Sequence, residues 1–216
     1  MTTTLHARAV LLDMDGTLVD STAVVERLWL QWAEPHGLDP AFVLEVVHGR
    51  QGHQSMAIML PERDHSINLI ENQQMLDRET DDVEGVVAIG GAQQLLEALQ
   101  RHPHAIVTSA NVALMTARMD AAGLAIPDLR VTAESVSASK PHPEGFLKAA
   151  SLLGIEPADC VVFEDSEAGI QAGLAAGMVV IGVGSAAAGH SPTHAVPDLT
   201  HVTIVETGEG FSLTIV

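Results

Sequence analysis

Residues 13–20 read Asp13-Met14-Asp15-Gly16-Thr17-Leu18-Val19-Asp20 and follow directly on the apolar run Ala9-Val10-Leu11-Leu12. A continuous apolar run that stops at a turn reads as a buried strand. Two acids, two positions apart, stand where that strand ends. Like charges this close raise each other's pKa unless something neutralises them. A divalent cation does so, and oxygen-only ligation suits a hard ion such as magnesium. The stretch therefore predicts a metal site with two carboxylates, one of which could attack a phosphoryl group.

Outward from this stretch, four more apolar runs read as buried parallel strands: Ala105–Val107, Leu129–Thr132, Cys160–Phe163 and Met178–Val183. Helical patterns fall at Gly91–Leu99, Val112–Ala122, Pro143–Leu153 and Ser166–Ala176, the last ending at Gly177. Alternating strands and helices predict an α/β fold with a doubly wound parallel sheet. One interval breaks the rhythm. Between the first strand and Gly91 the pattern is helical, with no clear strand. Ser21–His36 carries Val24, Leu28 and Trp32 at four-residue steps, Asp39-Pro40 is a helix start, and Ser66–Asp82 is a polar helix. An insertion this long exceeds one crossover. It predicts a helical cap domain over residues 20–86, with residues 1–19 and 87–216 forming a discontinuous core. Ser185–Pro197 reads as a loop. Val202–Glu206 and Phe211–Val216 flank Thr207-Gly208-Glu209-Gly210 and predict a terminal hairpin.

Composition narrows the function. The chain has 216 residues, 47% of them hydrophobic, and a formal net charge of -18. So acidic a balance argues against nucleic acid or an anionic membrane as partner, since both need a basic footprint. It leaves room for a small phosphorylated metabolite held by a few placed cations and a metal. The eleven His residues show no metal-ligand spacing, and the single Cys160 excludes a disulfide framework. No leader and no membrane span are read. The expectation is a cytoplasmic monomer.

Four places at predicted strand ends carry candidate chemistry. Asp13/Asp15 is the first. Thr108-Ser109-Ala110-Asn111 is the second; hydroxyls and N–H groups at a helix start form an anion site. Ser139-Lys140-Pro141-His142-Pro143 is the third, and Lys140 and Lys148 are the only lysines. Phe163-Glu164-Asp165-Ser166 is the fourth. Each alone could be an ordinary helix cap or surface charge. In an open α/β sheet, however, ligands bind beyond the carboxyl ends of strands where the strand order reverses. If the first and fourth strands are neighbours, Asp13, Asp15 and Asp165 converge on one cation, with Lys140 and Ser109 left for a phosphoryl group.

In order and spacing these motifs resemble the haloacid dehalogenase superfamily, in its branch of sugar-phosphate phosphatases and β-phosphoglucomutases, and nearest to hexose and hexitol phosphatases. Phe163-Glu164-Asp165-Ser166-Glu167-Ala168-Gly169-Ile170 is typical of that branch. Ile89-Gly90-Gly91 departs from it, where relatives often have Pro-Gly. The resemblance implies that Asp13 is the nucleophile and forms an aspartyl-phosphate, and that Asp15 is the acid/base and also a metal ligand through its carbonyl. It implies that Lys140 holds Asp13 to the phosphoryl group, that Thr108 and Ser109 bind phosphate oxygens with Asn111 on the same turn, and that Asp13, Asp15 and Asp165 hold Mg2+. Glu164 falls in or near the next shell of ligands. His48-Gly49-Arg50-Gln51 resembles the cap loop that reaches substrate, with Arg50 as its contact residue.

Within the superfamily, Asp15 favours phosphoryl transfer over dehalogenation. The absence of lysine from Met1–Gly90 removes the amine of phosphonatase chemistry. Mutases carry a His twelve residues after the nucleophile, where this chain has Val25. The expected activity is hydrolysis of a small sugar or polyol phosphate. A β-phosphoglucomutase-type transferase and a non-catalytic phosphate-binding module are the alternatives. Trp29 and Trp32 read as cap core.

Overall fold

The computed structural model describes residues 2–207 and 210–216. The chain begins with β1 (Thr3–Ala7) and β2 (Ala9–Leu12), then turns through the acidic motif into the two-residue β3 (Val19–Asp20). Four helices follow: α1 (Thr22–Ala33), α2 (Pro40–Val46), α3 (Gly52–Met59) and α4 (His65–Asp81). Asp39 and Asp64 cap α2 and α4, accepting the N–H of Ala41 and of Ser66. The chain then returns through β4 (Val87–Ala88). β3 and β4 pair antiparallel, Val19 with Ala88 and Asp20 with Val87. The helical reading of this interval thus missed a short ribbon at its two ends. Two-residue strands are too short to leave an alternating pattern.

From α5 (Ala92–Leu99) onward strand and helix alternate: β5 (His104–Val107), α6 (Val112–Ala121), β6 (Arg130–Val131), α7 (Glu144–Leu153), β7 (Cys160–Glu164), α8 (Glu167–Ala175), β8 (Val179–Val183) and β9 (His194–Val196). These strands form a six-stranded sheet in the order β6-β5-β2-β7-β8-β9, all parallel. β9 and a 3-10 turn at Ala187–His190 lie inside the stretch read as loop. Pro192 and Pro197 flank that three-residue strand and gave it the look of a connection.

Every residue of β2 is fully buried. Alternate side chains leave opposite faces of a strand. Val10, Leu12, Ile106, Val161, Phe163 and Ile181 pack on one side of the sheet. Ala9, Leu11, Ala105, Val107, Val162 and Val180 pack on the other. A sheet apolar on both faces must be covered by helices on both. The winding reverses at β2, which lies between β5 and β7, so the carboxyl end of β2 is the switch point where such sheets bind ligands.

Outside the main sheet, β10 (Val202–Thr207) and β11 (Gly210–Ile215) form the expected terminal hairpin, and β1 adds to β11 as a third antiparallel strand. Gly208 and Glu209, in the proposed turn, lie outside the described residues. Among those residues no helix is long and apolar enough to cross a membrane.

Candidate active site

β2 ends at Leu12, and the next residues coil tightly. Asp13 N–H donates to Phe163 O of β7 at 3.0 Å. Met14 O accepts the N–H groups of Leu18 at 2.8 Å and Val19 at 2.9 Å, while Gly16 N–H donates to Val19 O at 2.8 Å. Gly16 has φ +80°, a conformation costly for residues with a Cβ. A Cβ there would also stand 2.0 Å from Asp165 Oδ2. Glycine is therefore what lets the carboxylate after β7 come against the loop after β2. Gly16→Ala should displace Asp165. A misplacement of about 1 Å at a reacting centre costs roughly 10²-fold in rate, and that is the loss expected in kcat/KM; a rate near wild type would show that this approach does not matter.

Ligand oxygens of Asp13, Glu164 and Asp165 lie within 4.8 Å of one another. Lys140 pairs with Asp13 and, at 2.6 Å, with Glu164 Oε1. Its ammonium also stands 5.3 Å from the centre of the Phe146 ring. Glu164 is fully buried, and its Oε2 accepts from both Ser166 N–H and Ser166 Oγ at 2.9 Å. A Cβ on Gly169 would fall 1.6 Å from Glu164 Oε1, which gives the glycine in the 163–170 stretch a steric reason.

Burial pushes the Asp13 carboxyl up to about 8, with Glu164 and Asp15 adding to the rise and Lys140 opposing it. Burial likewise raises Asp165 well above the usual carboxylate range, helped by Glu164 and Asp13. Burial works against the Lys140 charge, yet Asp13 and Glu164 hold the ammonium above its ordinary value. One lysine thus does not balance this cluster. The residual negative charge, the oxygen-only donors and the close approach through Gly16 fit a hard divalent cation.

The hydroxyl turn after β5 stands opposite. Thr108 is nearly buried, and its Oγ1 accepts Ala110 N–H at 3.1 Å. Ser109 Oγ donates to Gly49 O at 3.0 Å, joining this turn to the inserted helices. Ser139 Oγ makes a second junction, to Gln54 Oε1 at 2.5 Å. Between core and insertion is a cleft with ≈ 790 Å³ of empty space, including its open mouth. Asp13, Asp15, Thr108, Ser109, Arg50 and Asp165 line it. Arg50 makes no ion pair among the described residues. Asn111 is not brought to the cleft: its Oδ1 accepts Leu114 N–H at 2.8 Å and caps α6. Val25 and Trp29 line the cleft wall, whereas Trp32 turns into the helices, its Nε1 donating to Glu71 at 2.7 Å.

Sequence reasoning missed three residues that hold the Asp15 carboxylate or its support. Ser21 Oγ donates to Asp15 Oδ1 at 2.6 Å. Arg118 Nη1 donates to Asp15 Oδ2 at 2.7 Å, and its Nη2 donates to Glu79 Oε2 at 2.8 Å. Ser21 stands just before α1, where a serine reads as a helix cap, yet its side chain makes no cap bond. Nothing in the local sequence marks Arg118 or Glu79, each a charged residue in the later part of its helix.

Fold and site together define a class: an α/β protein with a buried acidic cluster and a paired lysine beyond the carboxyl edge of a parallel sheet at its switch point. Comparison with known proteins supplies the family. Residues 7–177 match the haloacid dehalogenase-like hydrolases, and the chain belongs to that family. It is 42% identical over 185 residues to hexitol phosphatase A of Escherichia coli (strain K12), an alignment covering 85% of this chain and 86% of that protein. It is 33% identical over 181 residues to validoxylamine A 7'-phosphate phosphatase of Streptomyces hygroscopicus subsp. limoneus, covering 82% and 85%. The fold is shared with a β-phosphoglucomutase from Clostridium difficile, with a TM-score of 0.75 and 21% identity over 89% of this chain and 92% of that one. With relatives named as phosphatases, the chain is a phosphoric monoester hydrolase of this family.

Proposed function

We propose that this protein is a magnesium-dependent phosphatase of small phosphorylated sugars or polyols, working through an aspartyl-phosphate on Asp13 beneath a helical cap of residues 20–86. The observation that carries the reading is the buried Asp13 carboxylate, paired to Lys140 and set within 4.8 Å of Glu164 and Asp165 at the switch point. The relative named hexitol phosphatase A supports a polyol or sugar as the leaving group, and the open cleft over Asp13 gives such a metabolite access.

In the first step an Asp13 oxygen attacks phosphorus. The bond from phosphorus to the ester oxygen breaks, and Asp15 gives its proton to the departing alkoxide. In the second step water attacks the same phosphorus and yields a proton to Asp15. The bond from phosphorus to Asp13 breaks, releasing inorganic phosphate and the carboxylate. Splitting one displacement in two is the gain of a covalent nucleophile. Lys140 holds Asp13 in place and offers fixed positive charge to the phosphoryl oxygens, the main catalytic term in such transfers. Thr108 and Ser109 would donate to those oxygens, Ser109 by giving up its bond to Gly49 O. Asp13, Asp165 and the Asp15 carbonyl would hold magnesium, with Glu164 occupied by Lys140 and Ser166 behind them. When bound, the ion supplies charge neutralisation at the phosphoryl group.

Val25 lines the cleft where mutases of this branch place a histidine. An apolar side chain moves no proton, so hydrolysis is favoured over isomerisation. Phosphate release across a panel of hexitol, hexose and glycerol phosphates tests the reading. Hexitol or hexose phosphates should be turned over in magnesium. Conversion of β-glucose 1-phosphate to the 6-phosphate without free phosphate would replace it with the mutase, and binding without turnover with the phosphate-binding module. The buried thiol of Cys160 suits a reducing cytoplasm, and a cleft completed by the chain's own helices suits a monomer.

Magnesium should also stabilise the fold. A carboxyl raised in the folded state favours folding below its unfolded pKa of about 3.8 and loses that contribution as pH rises through the folded value, about 8 for Asp13. The metal-free protein should thus lose stability from Asp13 over this window, and magnesium should restore it. At 100 times Kd the ion contributes about 2.7 kcal/mol, or roughly 5–10 °C in Tm for a chain of this size. Melting curves with and without magnesium at pH 6 and pH 8 check this. A shift that is absent, or no larger at pH 8, would count against the site.

A further inference from the structure

Arg118 rises from α6, in the core, and its side chain is 3% exposed. Burying a guanidinium is expensive unless its charge and donors are met. Its fork meets two carboxylates from different parts of the fold: Asp15 Oδ2 at 2.7 Å through Nη1, and Glu79 Oε2 at 2.8 Å through Nη2. Glu79 belongs to α4 of the cap and is itself nearly buried. A pair serving only to fasten α4 to α6 would need Arg118 and Glu79 alone. Here the second arm reaches the cleft and grips the acid/base. With Ser21 Oγ on Oδ1 at 2.6 Å, both oxygens of Asp15 are held. A planar fork with several donors can serve two carboxylates at once, which a lysine ammonium on a flexible stem does less well.

We propose that Arg118 is the positioning residue of the reaction: it holds the Asp15 carboxylate at the cleft, and Glu79 of the cap fixes the guanidinium that does so. The inference rests on the phosphatase reading above. It gives the cap a part in the chemistry beyond covering the substrate, because the support of the acid/base is completed from the cap side.

Leaving-group chemistry separates this role from a merely structural one. A hexitol alkoxide needs a proton as it departs, so Asp15 acts in the first step. Nitrophenolate departs without one, so with 4-nitrophenyl phosphate Asp15 is needed only in the second step, to take the proton of water. Arg118→Met should therefore lower kcat on a hexitol phosphate about 10²-fold with KM within a few-fold of wild type, the lower end of what general acid–base catalysis contributes. With 4-nitrophenyl phosphate the same variant should release one nitrophenolate per active site in a fast first phase near the wild-type rate, followed by slow turnover as the aspartyl-phosphate waits for water. Arg118→Lys should recover part of the loss. Glu79→Gln should cost about tenfold, and adding it to Arg118→Met should cost little more, since both act along one path.

Turnover within twofold of wild type in Arg118→Met overturns the proposal. So does loss of the first phase and of steady turnover in equal proportion, which marks a damaged fold. Should Arg118→Met not fold, the double variant Arg118→Met/Glu79→Gln removes both buried charges and carries the same test. If the wild type releases phosphate from neither substrate, the phosphatase reading itself fails and the inference falls with it.

Discussion

Asp13→Asn protein is expected to melt close to wild type and to release no phosphate, with kcat down by about 10⁴-fold or more, the scale for removal of a covalent nucleophile. The two halves of this expectation come from the same geometry. Asn fills the volume of Asp but cannot form the acyl phosphate. Its neutral amide also removes a buried charge that Glu164 and Asp15 oppose, while Lys140 keeps its pair with Glu164 at 2.6 Å. Phosphate release and thermal melting on the same preparation check both. Turnover within tenfold of wild type would remove Asp13 from the mechanism. A collapsed melt would show that the Asp13–Lys140 pair is needed for folding.

Lys140→Met should damage both function and fold. Removing the ammonium leaves Asp13 and Glu164 side by side in the interior. Breaking a buried pair in this way costs about 3–5 kcal/mol, which for a chain of this length lowers Tm by about 10 °C or more. Loss of the fixed charge should lower kcat a further 10²–10³-fold in whatever protein folds. The stability deficit should narrow as pH falls. Burial raises Asp13 to about 8 against the pull of Lys140, and without the ammonium it is raised further, so below that range Asp13 is protonated in both proteins and stops repelling its neighbour. Melting at pH 6 and at pH 9, on either side of the wild-type Asp13 value of about 8, reads this directly, and an equal deficit at both would show that charge is not what Lys140 supplies.

Four of the five central strands and the convergence of their ends were legible because parallel strands buried on both faces leave unbroken apolar runs, and because polar residues beside such runs stand out; the run read over Leu129–Thr132 yields only the two-residue edge strand Arg130–Val131, with Arg130 exposed. Asp13, Lys140, Glu164 and Asp165 owe their visibility to that contrast. The edges were harder. β9 is three residues long between prolines, and β3 and β4 have two residues each, below the length at which periodicity says anything. β1 alternates in burial, but its pairing with β11 joins the two ends of the chain, a relation no local window contains. Asn111 was read as a phosphate donor, and the structure shows its Oδ1 capping α6, a role the same side chain serves equally. Arg118 and Glu79 were invisible for the opposite reason: a charged residue on an amphipathic helix reads as solvated, and only the packing of α4 on α6 buries this pair.

The β3–β4 ribbon has a meaning for how such enzymes diversify. The outgoing and returning strands are zipped together, Val19 on Ala88 and Asp20 on Val87, and Ile89 N–H adds a bond to Leu18 O at 2.9 Å. To the core, the whole intervening segment is a single closed loop whose mouth is already shut. Loop-closure entropy grows only with the logarithm of length, about 0.6 kcal/mol per doubling. The segment can therefore be lengthened or shortened at little entropic cost while the acidic turn keeps its shape, provided that a carboxylate in the place of Glu79 still meets Arg118.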